Sequence, residues 1–437
     1  MVYDVAIVGA GPAGIAASLV AAGHGFSVAL IERRQQLAPL TRACSEGLLY
    51  DEPYYGASIR IDRERSRIEF SPSGLTLRYT GQIRDIPYFD AISYRGNRMH
   101  LVRDDGKPIQ VVFDKARYLE ENLDDAVARG VCFFPNHTVI DLDLNPEKVS
   151  VVTHRTTFSA RFLIAADGHN SFCARCAGYN QQRTFYGTLT AVCWHVEGLE
   201  HGDPGHLHLL EGVNDPSVFC ICPRVEEGQW SIVISGYDRS ADYTKRFDEV
   251  TKHSVLAPLF GPQVRIQRQL ACILNLFQPL ADPCTENMYI VGDGAWFGQT
   301  SNSHAALTGA QAAECISKVL SGECSRQDAA ETYRRWWRTC FYDGWRTPGA
   351  NIFEHLTRDE IDELFACLPP EITGSLEPGK AQRLMAALFQ QLMPRLQEKH
   401  QRLYERILSV QQLPAHNHWA EKRKHGIAVR SLIRAQD

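Results

Sequence analysis

Apolar and polar positions recur with a changing period along the chain, and the period predicts the elements. Val5, Ala6, Ile7 and Val8 form a short apolar run, as a strand covered on both faces does, and Val28, Ala29, Leu30 and Ile31 form a second. An alanine-rich helix lies between them. From Ile59 to Val112 short alternating runs are broken by Gly, Pro and Asp. Ile68 to Phe70, Leu75 to Tyr79, Met99 to Val102 and Ile109 to Phe113 read as antiparallel strands and hairpins. Lys115 to Arg129 reads as a helix closed by Gly130, Val131 to Thr157 as a β-meander, and Phe162 to Ala165 as another apolar strand. A β-rich stretch from Thr188 to about Ile273 holds strands at Leu189 to His195, Val218 to Cys222 and Trp230 to Ser235, with one helix near Tyr243 to His253. Met288 to Val291 is a buried strand, Ala305 to Leu320 a helix, and everything from Ala329 onward reads as helical.

The first strand runs into Gly9-Ala10-Gly11-Pro12-Ala13-Gly14, and the second ends on Glu32 followed by Arg33. Each part of that arrangement has a physical use in holding a dinucleotide. Gly9 permits the tight turn from strand to helix, Gly11 lets a pyrophosphate approach the backbone, and Gly14 lets helix and strand pack closely. Pro12 lacks only a donor that the first helical turn leaves unpaired. The helix start, with Ala13 in its first turn, then faces the phosphates, and Glu32, 18 residues beyond Gly14, accepts a ribose hydroxyl. Two further apolar strands end in similar turns, Asp167-Gly168 and Gly292-Asp293. An acid and a glycine at the carboxyl ends of parallel strands are where a doubly wound sheet takes its ligand.

These placements predict an α/β fold with interleaved parts. A Rossmann-like nucleotide-binding domain takes residues 1–58, 114–183 and 276–328, and a β-sheet substrate domain takes 59–113 and 184–275. Residues 329–437 form a helical C-terminal region. With 437 residues, 44% hydrophobic and 22% charged, the composition is that of a globular protein able to bury a large core. The net charge of −5 and the lack of a recognition motif argue against a nucleic-acid partner. Thirteen scattered cysteines, an odd count, suit free thiols in a reducing compartment, and a cytoplasmic location is expected.

Two groups carry ligand-like chemistry. Cys173 and Cys176 form one CxxC, half of what a structural zinc needs. His201, Asp203, His206 and His208 lie in a Gly/Pro-rich turn entering a strand and read as a surface loop, so no metal site is expected. The last 58 residues hold eleven Lys/Arg and four Asp/Glu, and Leu384, Leu388, Leu392, Leu396, Leu403 and Ile407 recur at helical spacing. Such a basic amphipathic tail fits a peripheral membrane contact or a pyrophosphate, and equally a helix packed on its own domain.

With its N-terminal motif and the turns at Asp167-Gly168 and Gly292-Asp293, the chain resembles the flavoproteins of the para-hydroxybenzoate hydroxylase fold, and among them the geranylgeranyl reductase family. The segment Cys44-Ser45-Glu46-Gly47, the run Cys220-Ile221-Cys222-Pro223 to Trp230, and Leu356 to Leu364 in the tail point the same way. The resemblance implies FAD, making the nucleotide domain an FAD-binding domain, with Asp293 on a ribityl hydroxyl and Asp167 and Gly168 near the phosphates. It also implies an arginine over the cofactor crevice, for which Arg117 and Lys115 are the candidates. It departs from the family at Trp296 to His304, where the proline and paired glycines are missing and the loop is shorter. Trp296, Asn302 and His304 therefore become the local residues of interest, as cofactor contacts or as packing and capping groups.

The activity implied is reduction of C=C bonds in an isoprenoid or lipid-like, small hydrophobic substrate, with Cys44, Glu46 or His304 as the proton-handling groups. The donor would be NAD(P)H visiting transiently or a reduced electron carrier, including an electron-donor protein, since no second GxGxxG is present. Two alternatives stay open: an FAD-dependent aromatic monooxygenase of the same fold, and a flavin-binding electron-transfer protein.

Overall fold

Five strands run parallel in the central sheet, and their carboxyl ends are level. Residues 2–48, 58–71, 73–212, 217–237, 239–298, 301–343, 355–374 and 378–412 are described by the computed structural model. Strand Val2–Val8 lies between Val28–Ile31 and Thr157–Ala165, and Cys132–Phe134 and Met288–Ile290 flank them on either side. Val8 is paired with both Ile31 and Ala165, and Ala165 with Ile290. The turns that follow these residues must therefore open at one edge of the sheet, which is where a doubly wound sheet binds ligand. Two antiparallel strands, Val149–Thr153 and Val139–Leu144, complete this sheet. The expected meander is thus only partly present: Cys132–Phe134 leaves it to pair in parallel with Val28–Ile31.

Helix Pro12–Gly23 follows the first turn and packs against Asn302–Leu320. Their approach is as close as backbones allow, since a Cβ on Gly309 would lie 2.0 Å from the Ala13 carbonyl oxygen. Only glycine permits this crossing. The helix starts at Asn302 rather than Ala305 because Ser301 caps it, its side chain accepting from the His304 amide.

The second large sheet has the order Arg265–Phe277, Phe185–Glu197, Gln229–Gly236, Ser217–Pro223, His206–Leu210, Tyr88–Ile92, Arg98–Arg103 and Glu371–Gly374. Helix Tyr243–His253 covers one face through Phe247 and Val250, and helix Arg358–Cys367 covers the other through Ile361 and Phe365. The tail is not wholly helical as expected. Glu371–Gly374 is a strand, pairing in parallel with Arg98–Arg103, a partner no local pattern can announce. Four positions of the tail's apolar stripe are consumed inside the fold, where Leu392, Leu396, Leu403 and Ile407 are buried against Leu364, while the Leu384 side chain lies outside the described residues. The basic residues beyond 412 lie outside the described residues.

Among the described residues no helix is long and apolar enough to cross a membrane.

Candidate active site

The level strand ends create one cavity of about 1190 Å³, larger than the 300–1,000 Å³ of ordinary small-molecule sites. Gly9, Gly11, Pro12, Ala13, Glu32, Arg33, Asp167, Gly168, Gly292, Asp293, Trp296, Asn302 and His304 all line it, as do Cys44 and Lys115. Five cationic side chains (Arg33, Arg34, Arg42, Lys115, Arg175) and three acidic ones (Glu32, Asp167, Asp293) share its wall, a surplus suited to an anionic ligand.

The three glycines of the first turn differ in what encloses them. Gly9 has φ +101°, and a Cβ there would lie 2.4 Å from the Ala166 carbonyl oxygen; a Cβ on Gly14 would lie 1.8 Å from that of Gly9. At Gly11 a Cβ would meet nothing within 4 Å. Gly9 and Gly14 are therefore needed to close the turn, whereas the space at Gly11 belongs to the cavity. Gly11 is also the N-cap of its helix, and no side chain caps that end. Uncapped amides beside an open backbone fit a phosphate.

Glu32 is buried on the same wall. Its carboxylate accepts from the Ala10 amide at 2.8 Å and the Arg34 amide at 2.9 Å, and pairs with Arg34 Nε at 3.0 Å. Burial opposes its ionisation, yet the hydrogen bonds and charge of Arg34 hold its carboxyl below the ordinary range. Asp167 is also engaged within its own turn, accepting from Ser171 Oγ at 2.6 Å and the Cys173 amide at 3.0 Å. Asp293 faces the cavity with Oδ2 2.9 Å from His169 Nδ1, and His169 Nδ1 lies 3.4 Å from Arg42 Nη2.

The loop from Gly294 is held by a buried guanidinium. Arg183 donates to the carbonyls of Gln278, Gly294 and Trp296 at 2.5, 2.9 and 3.0 Å. Burial pushes its pKa down to about 9, still high enough for a cation at neutral pH. Trp296 meets Trp337 and Phe341 edge to face, so its ring is packed as well as facing the cavity. Asn302 Nδ2 donates to the Gly47 carbonyl at 2.9 Å, tying the helix start to the Cys44 segment. His304 Nδ1 lies 2.8 Å from Ser301 Oγ, and burial pushes the imidazole down to about 3, so the ring is neutral near pH 7. That does not suit an imidazolium acid.

Two expected residues are placed elsewhere. Arg117 sits on the solvent side of its helix, bonded to Glu121 Oε1 at 2.8 Å and Thr80 Oγ1 at 2.7 Å, while Lys115, two residues earlier, reaches the cavity. Glu46 does not line the cavity. It has φ +55°, which turns its side chain away from that of Cys44 into a buried cluster. There Oε2 lies 2.9 Å from Arg224 Nη1 without hydrogen-bond alignment, and Arg224 Nη1 lies 3.1 Å from His195 Nε2. Burial pushes the Glu46 carboxyl up to about 7, against the opposing pull of Arg224. Cys44 stays on the cavity wall, where its Sγ accepts from the Glu46 amide at 3.4 Å and from Lys115 Nζ at 3.8 Å.

Arg34, Arg42, His169 and Arg183 were missed by the sequence reading. Arg34, His169 and Arg42 had a local signal, beside Glu32, the Asp167-Gly168 turn and the Cys44 segment; Arg183 stands alone in the sequence.

Residues 4–180 match the family described as FAD dependent oxidoreductase, and residues 96–300 match the one described as FAD binding domain. Digeranylgeranylglycerophospholipid reductase of Methanosphaerula palustris is 26% identical over 395 residues, covering 83% of this chain and 88% of that protein. The reductase of the same name from Methanocaldococcus jannaschii is 23% identical, covering 85% and 92%. Among solved structures, a geranylgeranyl bacteriochlorophyll reductase-like protein of Thermoplasma acidophilum superposes with a TM-score of 0.68 at 17% identity, covering 91% of this chain and 99% of that one. A flavin-dependent brominase superposes with a TM-score of 0.59 at 16% identity, covering 97% and 99%. Two stretches that match FAD-protein families, with likeness to these reductases along most of the sequence, make the chain an FAD-dependent oxidoreductase that is similar to the geranylgeranyl reductases.

Proposed function

We propose that the chain saturates carbon–carbon double bonds of an isoprenoid, lipid-like substrate. The observation that carries this reading is one cavity, too large for a cofactor fragment alone, with the dinucleotide turn and the Cys44 thiol both on its wall. Gly9, Gly11, Pro12, Ala13 and Gly14, with Glu32 and Arg33, would hold the nucleotide end of FAD. Gly292, Asp293, Trp296 and Asn302 would border its flavin end. The bound cofactor supplies hydride equivalents.

Saturating an alkene also needs a proton, and that part falls to the chain. Cys44 is the group placed for it: its sulfur accepts from the Glu46 amide and Lys115 on the cavity wall, and its S–H would serve the cavity's occupant. Lys115 Nζ, 3.8 Å away and itself on the cavity wall, would return the proton after each turnover. Glu46 and His304 take supporting places, one holding the backbone of the Cys44 segment and the other packing the loop. NAD(P)H or a reduced carrier protein would deliver electrons. Membrane contact is assigned to the basic side chains of the tail, since Leu392, Leu396 and Leu403 are packed.

The test is anaerobic. Protein carrying FAD, reduced chemically and mixed with a digeranylgeranyl glycerophospholipid, reoxidises and yields product heavier by two hydrogens for each bond reduced. Flavin that stays reduced with every prenyl substrate would refute the reading. Oxygen-dependent turnover with ¹⁸O in the product would replace it with the monooxygenase.

A further inference from the structure

Away from the cavity, on the large sheet, three imidazoles surround one buried carboxylate. Asp90, His100 and His208 are register partners on adjacent strands, so their side chains stand in one row on one face. His206, two residues before His208, shares that face. The stretch enters a strand as expected: His201 and Asp203 lie in the turn, and His206–Leu210 pairs with Tyr88–Ile92, which brings His206 and His208 out of the loop and onto the sheet. His100 Nδ1 lies 2.6 Å from Asp90 Oδ1, His206 Nδ1 lies 2.8 Å from Oδ2, and His208 Nδ1 lies 3.0 Å from Oδ2. The ligand atoms of Asp90, His100 and His206 all lie within 4.8 Å of one another.

His100 and His206 hydrogen-bond to Asp90, and His208 does not. His208 is 8% exposed, and its buried Nδ1 is out of line for a hydrogen bond despite the short distance. His206 carries a second carboxylate behind it, Asp203 Oδ2 at 3.5 Å from Nε2. A neutral His206 that gives its Nε2 proton to Asp203 presents a lone pair on Nδ1 to the lone pairs of Asp90. Two such acceptors 2.8 Å apart repel unless a positive species lies between them. The contact is thus satisfied in one of three ways: the neutral ring keeps its proton on Nδ1 and donates to Asp90, the ring holds a second proton, or a cation occupies the gap. A carboxylate behind a ligating imidazole is the arrangement that orients histidines on metals.

We propose that Asp90, His100 and His206 bind a divalent transition ion of the zinc class, with His208 packed beside the Asp90 carboxylate. Zinc–ligand bonds of about 2.0–2.2 Å put tetrahedral ligands roughly 3.3 Å apart, so the two short contacts must open by about half an ångström. His100, whose side chain is 38% exposed, has the freedom to do so. Three protein ligands leave a fourth position on the solvent side for water or a partner's ligand. The ion would staple three neighbouring strands just where Glu371–Gly374 attaches the C-terminal region to Arg98–Arg103.

The test uses the full chain with saturating FAD, stripped by chelator, desalted and titrated with zinc against a chromophoric competitor. Stoichiometric zinc is expected, released by acid as the imidazoles take up protons. Asp90→Asn and His206→Gln abolish binding, and Asp203→Asn weakens it by about 10–100-fold. A Cys173→Ser, Cys176→Ser double variant binds as the wild type does, and flavin content is unchanged throughout. Should Asp90→Asn fail to fold, His100→Gln at the exposed rim decides the matter by losing zinc in a folded protein. No stoichiometric binding would show that a proton fills the gap, and zinc that survives His100→Gln and His206→Gln or leaves with the CxxC pair would overturn the assignment.

Discussion

Glu46 provides the sharpest test of the site's electrostatics, because two features of its surroundings predict opposite results. As half of a buried ion pair with Arg224, it should stabilise the fold most when ionised. As a carboxyl that burial pushes up to about 7 from an ordinary 4.5, it should destabilise the fold when forced to ionise. The sign follows from proton binding. Between those two values the folded protein keeps a proton that the unfolded chain has released, so stability falls as pH rises through the window. Linkage over that window makes the cost about 0.8 kcal/mol near pH 5 and about 3 kcal/mol near pH 8. Glu46→Gln resembles the protonated side chain and escapes the cost. At roughly 2.1 cal/mol/K of unfolding entropy per residue, a cooperative chain of this length shifts its melting temperature by about 1 °C for each 0.9 kcal/mol. The variant should therefore melt about 1 °C above the wild type near pH 5 and about 3–4 °C above it near pH 8. Both proteins must be scanned at the same FAD excess, since ligand binding moves the midpoint by itself. A variant that melts below the wild type near pH 8, with the deficit growing as pH rises, would show that the Arg224 pair outweighs desolvation.

Other perturbations separate the uses of neighbouring residues. Gly11→Ala should leave the apo protein's melting temperature unchanged while weakening FAD binding in a fluorescence titration, because its methyl group enters the cradle; Gly14→Ala should lower apo stability first, since its Cβ meets the Gly9 carbonyl. Equal effects in both assays would contradict the distinction. Arg183→Ala removes the donor to three carbonyls and should cost about 3–5 kcal/mol in denaturant unfolding; a loss under about 1 kcal/mol would mean water replaces it freely. Cys44→Ser should retain FAD but slow anaerobic substrate-driven reoxidation by about 10²–10⁴-fold, and an unchanged rate would remove the thiol from proton transfer.

What could be read along the chain was what is local. The apolar run Val28 to Ile31 is the observed strand, and Tyr243 to His253 is the observed helix with Asp242 as its cap, because period and capping chemistry are both carried within a few residues. The first glycine turn was legible for the same reason, its strand, turn and helix being contiguous, although Gly9 also answers to the Ala166 carbonyl of a distant strand. What joins distant segments was not. Glu371–Gly374 has four residues and finds its partner in Arg98–Arg103, and Arg183 meets carbonyls from Gln278 to Trp296, contacts with no periodic trace. His206 and His208 show both. The Gly/Pro-rich turn and the strand it enters were both legible, the strand through alternation with Leu207 and Leu209, but the pairing with Tyr88–Ile92 that gathers the histidines around Asp90 was not.

The Cys44 segment illustrates how one backbone angle divides chemistry that the sequence places side by side. Cys44 and Glu46 are two residues apart and in an extended strand would share a face. The left-handed conformation at Glu46 breaks that alternation, so the thiol stays on the cavity wall and the carboxyl enters the cluster beneath the large sheet. The conformation persists because both sides of the segment are anchored. Gly47–Leu48 pairs with Gln110–Phe113, the Gly47 carbonyl accepts from Asn302, and Glu46 itself lies against Arg224. A strained residue survives where its surroundings over-determine it. The same anchors join three parts of the molecule: the loop after Asp293, the strand before Lys115 and the large sheet. Cys44 is thus positioned by contacts that do not touch its sulfur, and the segment that follows the dinucleotide turn is anchored where the proposed proton transfer would require it to be.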